Sequence, residues 1–534
     1  MLPVNEVLPE LRLALIDPGV AVLQAPPGAG KTTVVPLELL NETWLAGRKI
    51  VMLEPRRLAA RAAARRMSNT VGQSVGRTVG HRVRFDTKVS RATRIEVVTE
   101  GVLTRLRLED PSLDGIGLLI FDEFHERSIH ADLGLALALE SRDALRPDLR
   151  ILVMSATLDG DRVAALLGGA PIITSTGRLF EVETRYRPRR TDQRLDEAVA
   201  GVVREALAET DGDVLVFLPG AGEIHRVAEI LRPSADPPFR LYPLHGTLPI
   251  DQQDAAIAPS PPGTRKVVLA TSIAETSLTI EGVRVVVDAG LMRVPRFSPR
   301  TGMSRLETIR VTRASADQRR GRAGRTAPGI CYRMWDAHEE RGLVPFNTPE
   351  ILSTDLAPLA LDLAAAGVRD PLALAWLDPP PEAPLAQALL LLSELGALSR
   401  DPRVASHETI AAISSHGKQM AGLPAHPRLA HMLLEGARMG AVEMAAEMAA
   451  LLGDRDILRR ADGQTGGRAE LPVDITLRID ALRGSRITSV EVDRHGVERA
   501  RQGSATWKRT LLPVRPSARP PLFRANPLKH CNVR

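Results

Sequence analysis

The sequence predicts an α/β fold: two consecutive parallel-sheet sets, followed by a mostly helical region. Three observations predict it. Short, nearly continuous apolar runs alternate with helix-like stretches through the first third of the chain. The same alternation resumes at Val214. After about residue 337 it gives way to Leu- and Ala-rich segments without strand-like runs. Apolar runs that do not alternate with polar residues mark strands buried on both faces, as in parallel sheets covered by helices.

In order, the strand-like runs of the first set are Val20 to Leu23, Ile50 to Leu53, Ile95 to Val98, Leu118 to Phe121 and Ile151 to Met154. Helical stretches such as Leu58 to Met67 separate them. Arg185 to Arg194, basic and with one proline, reads as a linker. The second set has Val214 to Leu218, Lys266 to Ala270, Val283 to Val287 and Ile330 to Met334. Helices are then expected at Leu356 to Ala366, Pro384 to Leu395 and Ala441 to Leu452. The last forty or so residues are basic and weakly patterned, and are expected to be poorly ordered. No repeat of solenoid period occurs.

A length of 534 residues accommodates about three or four domains. No run of 18 or more apolar residues occurs, so no membrane span is expected. The N-terminus lacks the basic-then-apolar order of a secretory signal. Two distant cysteines, Cys331 and Cys531, form neither a disulfide framework nor a zinc site by themselves, which fits the reducing cytoplasm. Cys331 reads as a core strand residue. Lys and Arg exceed Asp and Glu by only 70 to 64, so any polyanion-binding surface must be local. Aromatic residues make up 3%, too few for a row of base-stacking platforms, so a nucleic acid would be gripped by its phosphates.

Three constellations carry chemistry. Gln24-Ala25-Pro26-Pro27-Gly28-Ala29-Gly30-Lys31-Thr32-Thr33 joins a strand to a helix, the context a phosphate-binding loop requires. Gly28 and Gly30 allow backbone N–H groups to form an anion nest, and the helix adds its positive end. Lys31 would reach the β- and γ-phosphates and Thr32 would hold Mg²⁺. Ala25 stands where the strict pattern has Gly, and a plain Gly-rich turn is the structural alternative. Asp122-Glu123-Phe124-His125-Glu126-Arg127 ends another strand, where α/β proteins bind ligands. There Asp122 would hold Mg²⁺ and Glu123 would activate water, though an acidic pair at a strand end is also a common polar edge. Gln318-Arg319-Arg320-Gly321-Arg322-Ala323-Gly324-Arg325 packs four arginines into eight residues. These form either a solvated or phosphate-binding patch, or arginine fingers, Arg322 and Arg325, reaching a γ-phosphoryl group from another domain.

The series phosphate loop, Glu54-Pro55-Arg56-Arg57-Leu58-Ala59-Ala60, Thr99-Glu100-Gly101-Val102-Leu103, DEFHER, Ser155-Ala156-Thr157, Ala270-Thr271-Ser272-Ile273-Ala274-Glu275-Thr276-Ser277-Leu278-Thr279 and QRRGRAGR resembles the full motif set of DEAH-box superfamily 2 helicases, over roughly residues 18 to 329. Phe124 and the run Thr326 to Gly329 are similar to the bacterial HrpB branch. The resemblance implies two tandem RecA-like P-loop domains, residues 1–180 and 181–336. It implies a winged-helix module at 337–400 and a helicase-associated helical domain at 401–490, with a basic tail at 491–534. It implies ATP and Mg²⁺ as cofactors, and single-stranded RNA as the partner, with DNA as the alternative. Glu123, Gln318, Arg322 and Arg325 would be catalytic. Gly28, Gly30, Lys31, Thr32, Thr33, Arg66 and Asp122 would hold nucleotide and metal. Arg56, Arg57, His125, Ser155, Thr157, Thr271 and Thr276 would contact the strand or couple it to the nucleotide. Ile257 falls where an aromatic residue usually stacks on the base, and Val294 to Val311 matches a strand-separating hairpin. Arg320 replaces the group's usual Ala. The group's further C-terminal region finds no match, so the end after about Leu512 is expected to be a fragment boundary or a shifted frame. The implied activity is ATP-driven movement along RNA with duplex unwinding. RNA–protein remodelling and a nucleotide-gated RNA-binding scaffold are the alternatives.

Overall fold

A computed structural model describes residues 2–83, 86–156, 160–177, 180–232, 239–261, 263–275, 280–298, 300–399, 410–459, 472–485, 487 and 490–511. The first domain is built on β1 (Val20–Gln24), β2 (Lys49–Glu54), β3 (Val79–Val83), β4 (Asp86–Lys88), β5 (Ile95–Thr99), β6 (Ile116–Phe121), β7 (Arg150–Ser155) and β8 (Ile172–Thr174). They form one sheet in the order β4-β3-β5-β2-β6-β7-β1-β8. All neighbours are parallel except the β3–β4 pair. The continuous apolar runs are explained by two cores, one on each face. Ile50 and Met52 of β2 pack into one, and Val51 and Leu53 into the other. Leu152 and Met154 of β7 divide from Ile151 and Val153 in the same way. Side chains alternate across a strand, so a sheet covered on both faces needs an apolar residue at every position.

The second domain repeats the plan. β9 (Val182–Tyr186), β10 (Asp213–Phe217), β11 (Phe239–Leu244), β12 (Arg265–Ala270) and β13 (Val283–Asp288) precede a hairpin, β14 (Leu291–Ser298) with β15 (Met303–Arg310), and then β16 (Gly329–Arg333). The sheet order is β11-β12-β10-β13-β16-β9, parallel throughout. Val214 and Val216 face one core, Leu215 and Phe217 the other. Cys331 is fully buried in β16, as expected of a core strand residue. The hairpin covers the predicted segment and leaves Met303 and Leu306 exposed.

Two expectations are corrected. Arg185 does not begin a linker: Val182–Tyr186 is the edge strand of the second sheet, with Gly329 in register with Val182. Its half-polar sequence hid it, because an edge strand needs only partial burial. There the guanidinium groups of Arg185 and Arg187 lie over the Tyr332 ring, 5.7 Å from its centroid in each case. The tail assigned to 491–534 is also not uniformly unstructured. Arg494–Leu511 is a helix that buries Val497, Ala500, Ser504, Trp507 and Leu511. Those positions recur at helical spacing and form one stripe. Residues 512–534 lie outside the described residues.

The chain divides into two compact units. One comprises Met1–Leu359 with Asp370–Pro384, and so holds both α/β domains. The other comprises Ala360–Arg369 with Leu385–Arg534, and its described part is mainly helical. This division cuts through the stretch 337–400 rather than following its ends. Within the second unit, Leu451, Ile457, Ile479, Leu482 and Val497 share an apolar core. Among the described residues no helix is long and apolar enough to cross a membrane.

Candidate nucleotide site between the two α/β domains

Strand order brings the first-domain motifs together. β2, β6, β7 and β1 are consecutive neighbours. Their carboxyl ends carry Glu54, the Asp122–Glu123 pair, Ser155 and the loop that starts at Ala25. Ligands of open α/β sheets bind at that edge. Gly28 and Gly30 both have left-handed backbone, with φ of +88° and +98°. A side chain at Gly30 would also come within 3.0 to 3.2 Å of Leu2, Val4 and Val34, whereas one at Gly28 would meet nothing within 4 Å. The loop is thus packed from behind at Gly30 and open at Gly28.

Lys31 begins the helix Lys31–Glu38 and is almost fully buried. Its Nζ lies 2.7 Å from Glu123 Oε2 and 3.3 Å from Asp122 Oδ1. Thr32 Oγ1 donates to Asp122 Oδ2 at 2.5 Å. Thr33 is half-buried on the same helix, its N–H donating to the Gly30 carbonyl at 3.2 Å. Glu123 has left-handed backbone, φ +50°, with its N–H on Asp122 Oδ1 at 2.8 Å. That twist carries the second carboxylate out of the strand direction, toward Lys31.

Electrostatics assign the charges. Burial alone would raise the Glu123 pKa, but the charge and hydrogen bond of Lys31 pull it below the carboxylate range. Burial lowers the Lys31 pKa, yet Asp122 and Glu123 outweigh it, so Lys31 stays charged. Burial raises the pKa of Asp122 despite Lys31. Glu54 is fully buried, and burial together with Asp122 and Glu123 pushes its pKa well up, which favours the neutral acid. Lys31 alone cannot offset three buried carboxyl groups, which is why the pKa of Glu54 is driven up.

His125 is buried, and burial takes its pKa down to about 4. Its Nδ1 accepts the Ala156 N–H at 3.3 Å and lies 3.5 Å from Glu123 Oε2. The neutral ring therefore carries its proton on Nε2. These contacts join the acidic motif to the Ser155-Ala156 segment inside the first domain. Across the domains, Glu275 acts on His125 through charge.

The second domain supplies guanidinium groups to the same place. Arg322 is buried; its Nε donates to the Glu275 carbonyl at 3.1 Å, and a second nitrogen donates to that oxygen. Burial, and then Arg325, weaken its hold on its proton, while Glu123 of the first domain strengthens it. Burial takes Arg325 to about 10, against the same pull from Glu123. Gln318 is half-buried on the helix Arg313–Gly321. Arg319 plays a different part, which the run of arginines did not reveal. It is fully buried, 2.8 Å from Asp288 Oδ1 and 3.2 Å from Glu275 Oε2, with its guanidinium 5.0 Å from the Phe217 ring centroid. Arg319 braces the core from which Arg322 and Arg325 project.

Other expected residues scatter around this centre. Arg56 donates to the Ser272 carbonyl of the second domain at 2.6 Å and to Glu126 at 3.1 Å, while Arg57 is exposed. Arg66 is paired with Glu281 of the second domain at 3.3 Å. Ile257 is half-buried against the second domain's core, so part of its surface is already engaged. Ser155 is buried at the end of β7, and Thr271 is half-buried with its N–H on the Leu244 carbonyl. Thr157 and Thr276 lie outside the described residues.

Comparison with known proteins agrees with this arrangement. Residues 10–166 match the DEAD/DEAH box helicase family and 196–327 the helicase conserved C-terminal domain. The chain is 48% identical to the ATP-dependent RNA helicase HrpB of Escherichia coli (strain K12), over 84% of this chain and 54% of that protein. It is 37% identical to the pre-mRNA-splicing factor ATP-dependent RNA helicase prp22 of Schizosaccharomyces pombe, over 86% of this chain and 39% of that protein. The crystal structure of the Escherichia coli DEAH/RHA helicase HrpB superposes with a TM-score of 0.81 at 44% identity, covering 95% of this chain and 60% of that one. The chain thus spans about half the length of the HrpB relative and less of the splicing factor. On the match of both helicase domains, the two-sheet architecture and this likeness, the chain belongs to the HrpB-like DEAH-box helicases.

Proposed function

We propose that this chain is the motor portion of an ATP-dependent RNA helicase, which binds ATP between its two α/β domains and couples hydrolysis to movement along single-stranded RNA. The observation that carries the reading is the electrostatic neighbourhood of Glu123. Lys31 of its own domain lies 2.7 Å away, and the charges of Arg322 and Arg325 of the other domain act on it. A base, a phosphate-binding cation and two guanidinium groups are the parts that phosphoryl transfer to water needs.

The residues fit the substrate. The backbone at Gly28 opens onto space, and the Thr32 hydroxyl with the Asp122 carboxylate is a hard-oxygen pair suited to Mg²⁺. Mg²⁺ held there would neutralise phosphate charge. Lys31 exchanges its contact with Glu123 for the β- and γ-phosphates, which frees Glu123 to accept the proton of the attacking water. Until that exchange Lys31 holds Glu123 in the ionised form. Gln318 helps to position that water. Arg322 and Arg325 stabilise the charge on the transferred group only when the domains are closed, so turnover depends on closure. Arg66, now paired with Glu281, would stack on the base, and Gly30 and Thr33 would complete the phosphate cradle.

Arg56, Arg57, Ser155, Thr157, Thr271 and Thr276 are assigned to the RNA track and its coupling to the nucleotide, with His125 as the link between the acidic motif and Ser155-Ala156. Residues 337–400 and 401–490 are assigned to a winged-helix module and a helicase-associated helical domain, and the cytoplasm is the site of action. Phosphate release with and without RNA or DNA homopolymers, followed by strand displacement on a partial duplex, tests the reading. RNA-stimulated turnover with displacement is expected. Turnover without displacement would leave an RNA–protein remodelling ATPase, and absence of turnover would leave an RNA-binding scaffold.

A further inference from the structure

The helical unit gathers three metal-type donors. Helix Ser415–Ala421 carries His416, and helix Pro427–Arg438 carries His431 and Glu435. His431 and Glu435 are four residues apart, so they share one helix face a turn apart. His416 Nε2 lies 2.9 Å from His431 Nδ1, with the rings perpendicular and their centroids 5.1 Å apart. One donor atom from each of the three residues can be chosen so that all lie within 4.8 Å of one another. All three side chains are half-buried, held by the protein yet reachable from solvent.

We propose that His416, His431 and Glu435 bind a zinc ion that clips these two helices together, with water completing the coordination. Two imidazoles and one carboxylate make a three-ligand set that leaves a fourth, open position on tetrahedral Zn²⁺. Imidazole nitrogens select zinc-like ions over Mg²⁺, so this site does not compete for the metal used with ATP. Zinc–nitrogen bonds place two nitrogens of one tetrahedral ion roughly 3.3 Å apart. The observed pair is a few tenths of an ångström closer, so the ion replaces the hydrogen bond once the rings move apart and turn to aim both nitrogens at it.

The pair sits on a fixed frame. Ser414 caps the first helix, accepting the Gly417 N–H at 2.9 Å, and Gly417 packs so closely on the Ala397 carbonyl that no side chain fits there. His426 caps the second helix through the Arg428 N–H. Arg438 holds Glu435 Oε2 at 2.6 Å, the outer contact that orients a ligating carboxylate.

The test uses the untagged full chain, stripped with a chelator and free of nucleotide. Calorimetric titration with Zn²⁺ and optical titration with Co²⁺ should each show one ion per chain. The Co²⁺ spectrum should be that of a tetrahedral nitrogen–oxygen site, and the thermal midpoint should rise with Zn²⁺. His416→Ala and His431→Ala should each abolish this binding, and Glu435→Gln should weaken it by at least about tenfold. His416→Cys, which restores a zinc ligand, should keep it. If the alanine variants lose their helical circular dichroism, Glu435→Gln and His416→Cys decide. No Zn²⁺ binding by the parent chain would reduce the pair to a hydrogen bond and overturn the proposal. Unchanged binding in Glu435→Gln and in well-folded alanine variants would overturn it equally.

Discussion

The two α/β domains share a plan and differ in the charges they bring to the candidate site. In the first, Glu54, Asp122 and Glu123 crowd around the cation Lys31. In the second, the corresponding chemistry is cationic: Arg319 is neutralised inside the domain by Asp288 and Glu275, while Arg322 and Arg325 feel the acid of the other domain. The same layered sheet therefore serves opposite electrostatic ends, and the fold alone decides neither.

Replacement of Glu123, the proposed base, should break this comparison most severely. Glu123→Gln should lower turnover by about two to four powers of ten, because an amide cannot take the proton from water. Nucleotide binding should survive, since Lys31 then loses a competing partner. Equilibrium binding of a fluorescent ATP analogue beside phosphate release checks both halves. Retained turnover would place the base elsewhere.

The brace in the second domain separates structure from catalysis. Arg319→Ala leaves Asp288 and Glu275 buried without their cation, and should cost about 3 to 5 kcal/mol in denaturant unfolding. Arg319→Lys should recover only part of that, because one ammonium cannot reproduce a planar contact with two carboxylates and a ring. If Arg319→Ala folds with unchanged stability but loses turnover, the residue is catalytic rather than structural.

A pH effect of intermediate size should come from Glu100, in the Thr99-Glu100-Gly101 motif. Burial raises its pKa to about 8, against a hydrogen bond donated by Ser128 Oγ at 2.6 Å. The folded state thus binds a proton that the unfolded chain releases near its ordinary value. Stability should fall as pH rises between the two values, and level off above about 8. Glu100→Gln removes the titration and should flatten that decline. Urea unfolding at several pH values reads it, and an unchanged slope in the variant would contradict the assignment.

The smallest expected effect is selectivity for the base. Arg66 is exposed and paired with Glu281, and Ile257 offers no π-face, so ATP, GTP, CTP and UTP should turn over within about a hundredfold of one another. A larger preference for ATP would require a hydrogen-bonding pocket that these residues do not make.

What could be read in the sequence was local or strictly periodic. Gly28 to Thr32 and Asp122–Glu123 are contiguous, and their chemistry follows from residue type and a strand-end position. The strands β1, β2, β5, β6, β7, β10, β12, β13 and β16 were legible because burial on both faces leaves unbroken apolar runs. β9 was not, because Val182–Tyr186 alternates with charged residues and lies at an edge. The helix Arg494–Leu511 was hidden by charged residues between its apolar positions. Pairing was the least legible of all. That Arg319 is a brace while its neighbour Arg322 faces the acid depends on Asp288, Glu275 and Glu123, residues 31, 44 and 199 positions away. Nothing in a run of arginines states which member finds which carboxylate.

The central claim is that the second domain completes a hydrolysis site begun in the first. Steady-state phosphate release in the presence of RNA, measured on the parent chain and on Arg325→Ala with nucleotide binding determined in parallel, tests it most directly. Arg325→Ala should bind ATP about as well as the parent and hydrolyse it about three to five powers of ten more slowly, the scale of a lost arginine finger. Normal turnover in Arg325→Ala would show that the first domain hydrolyses ATP without this arginine, and would contradict the account.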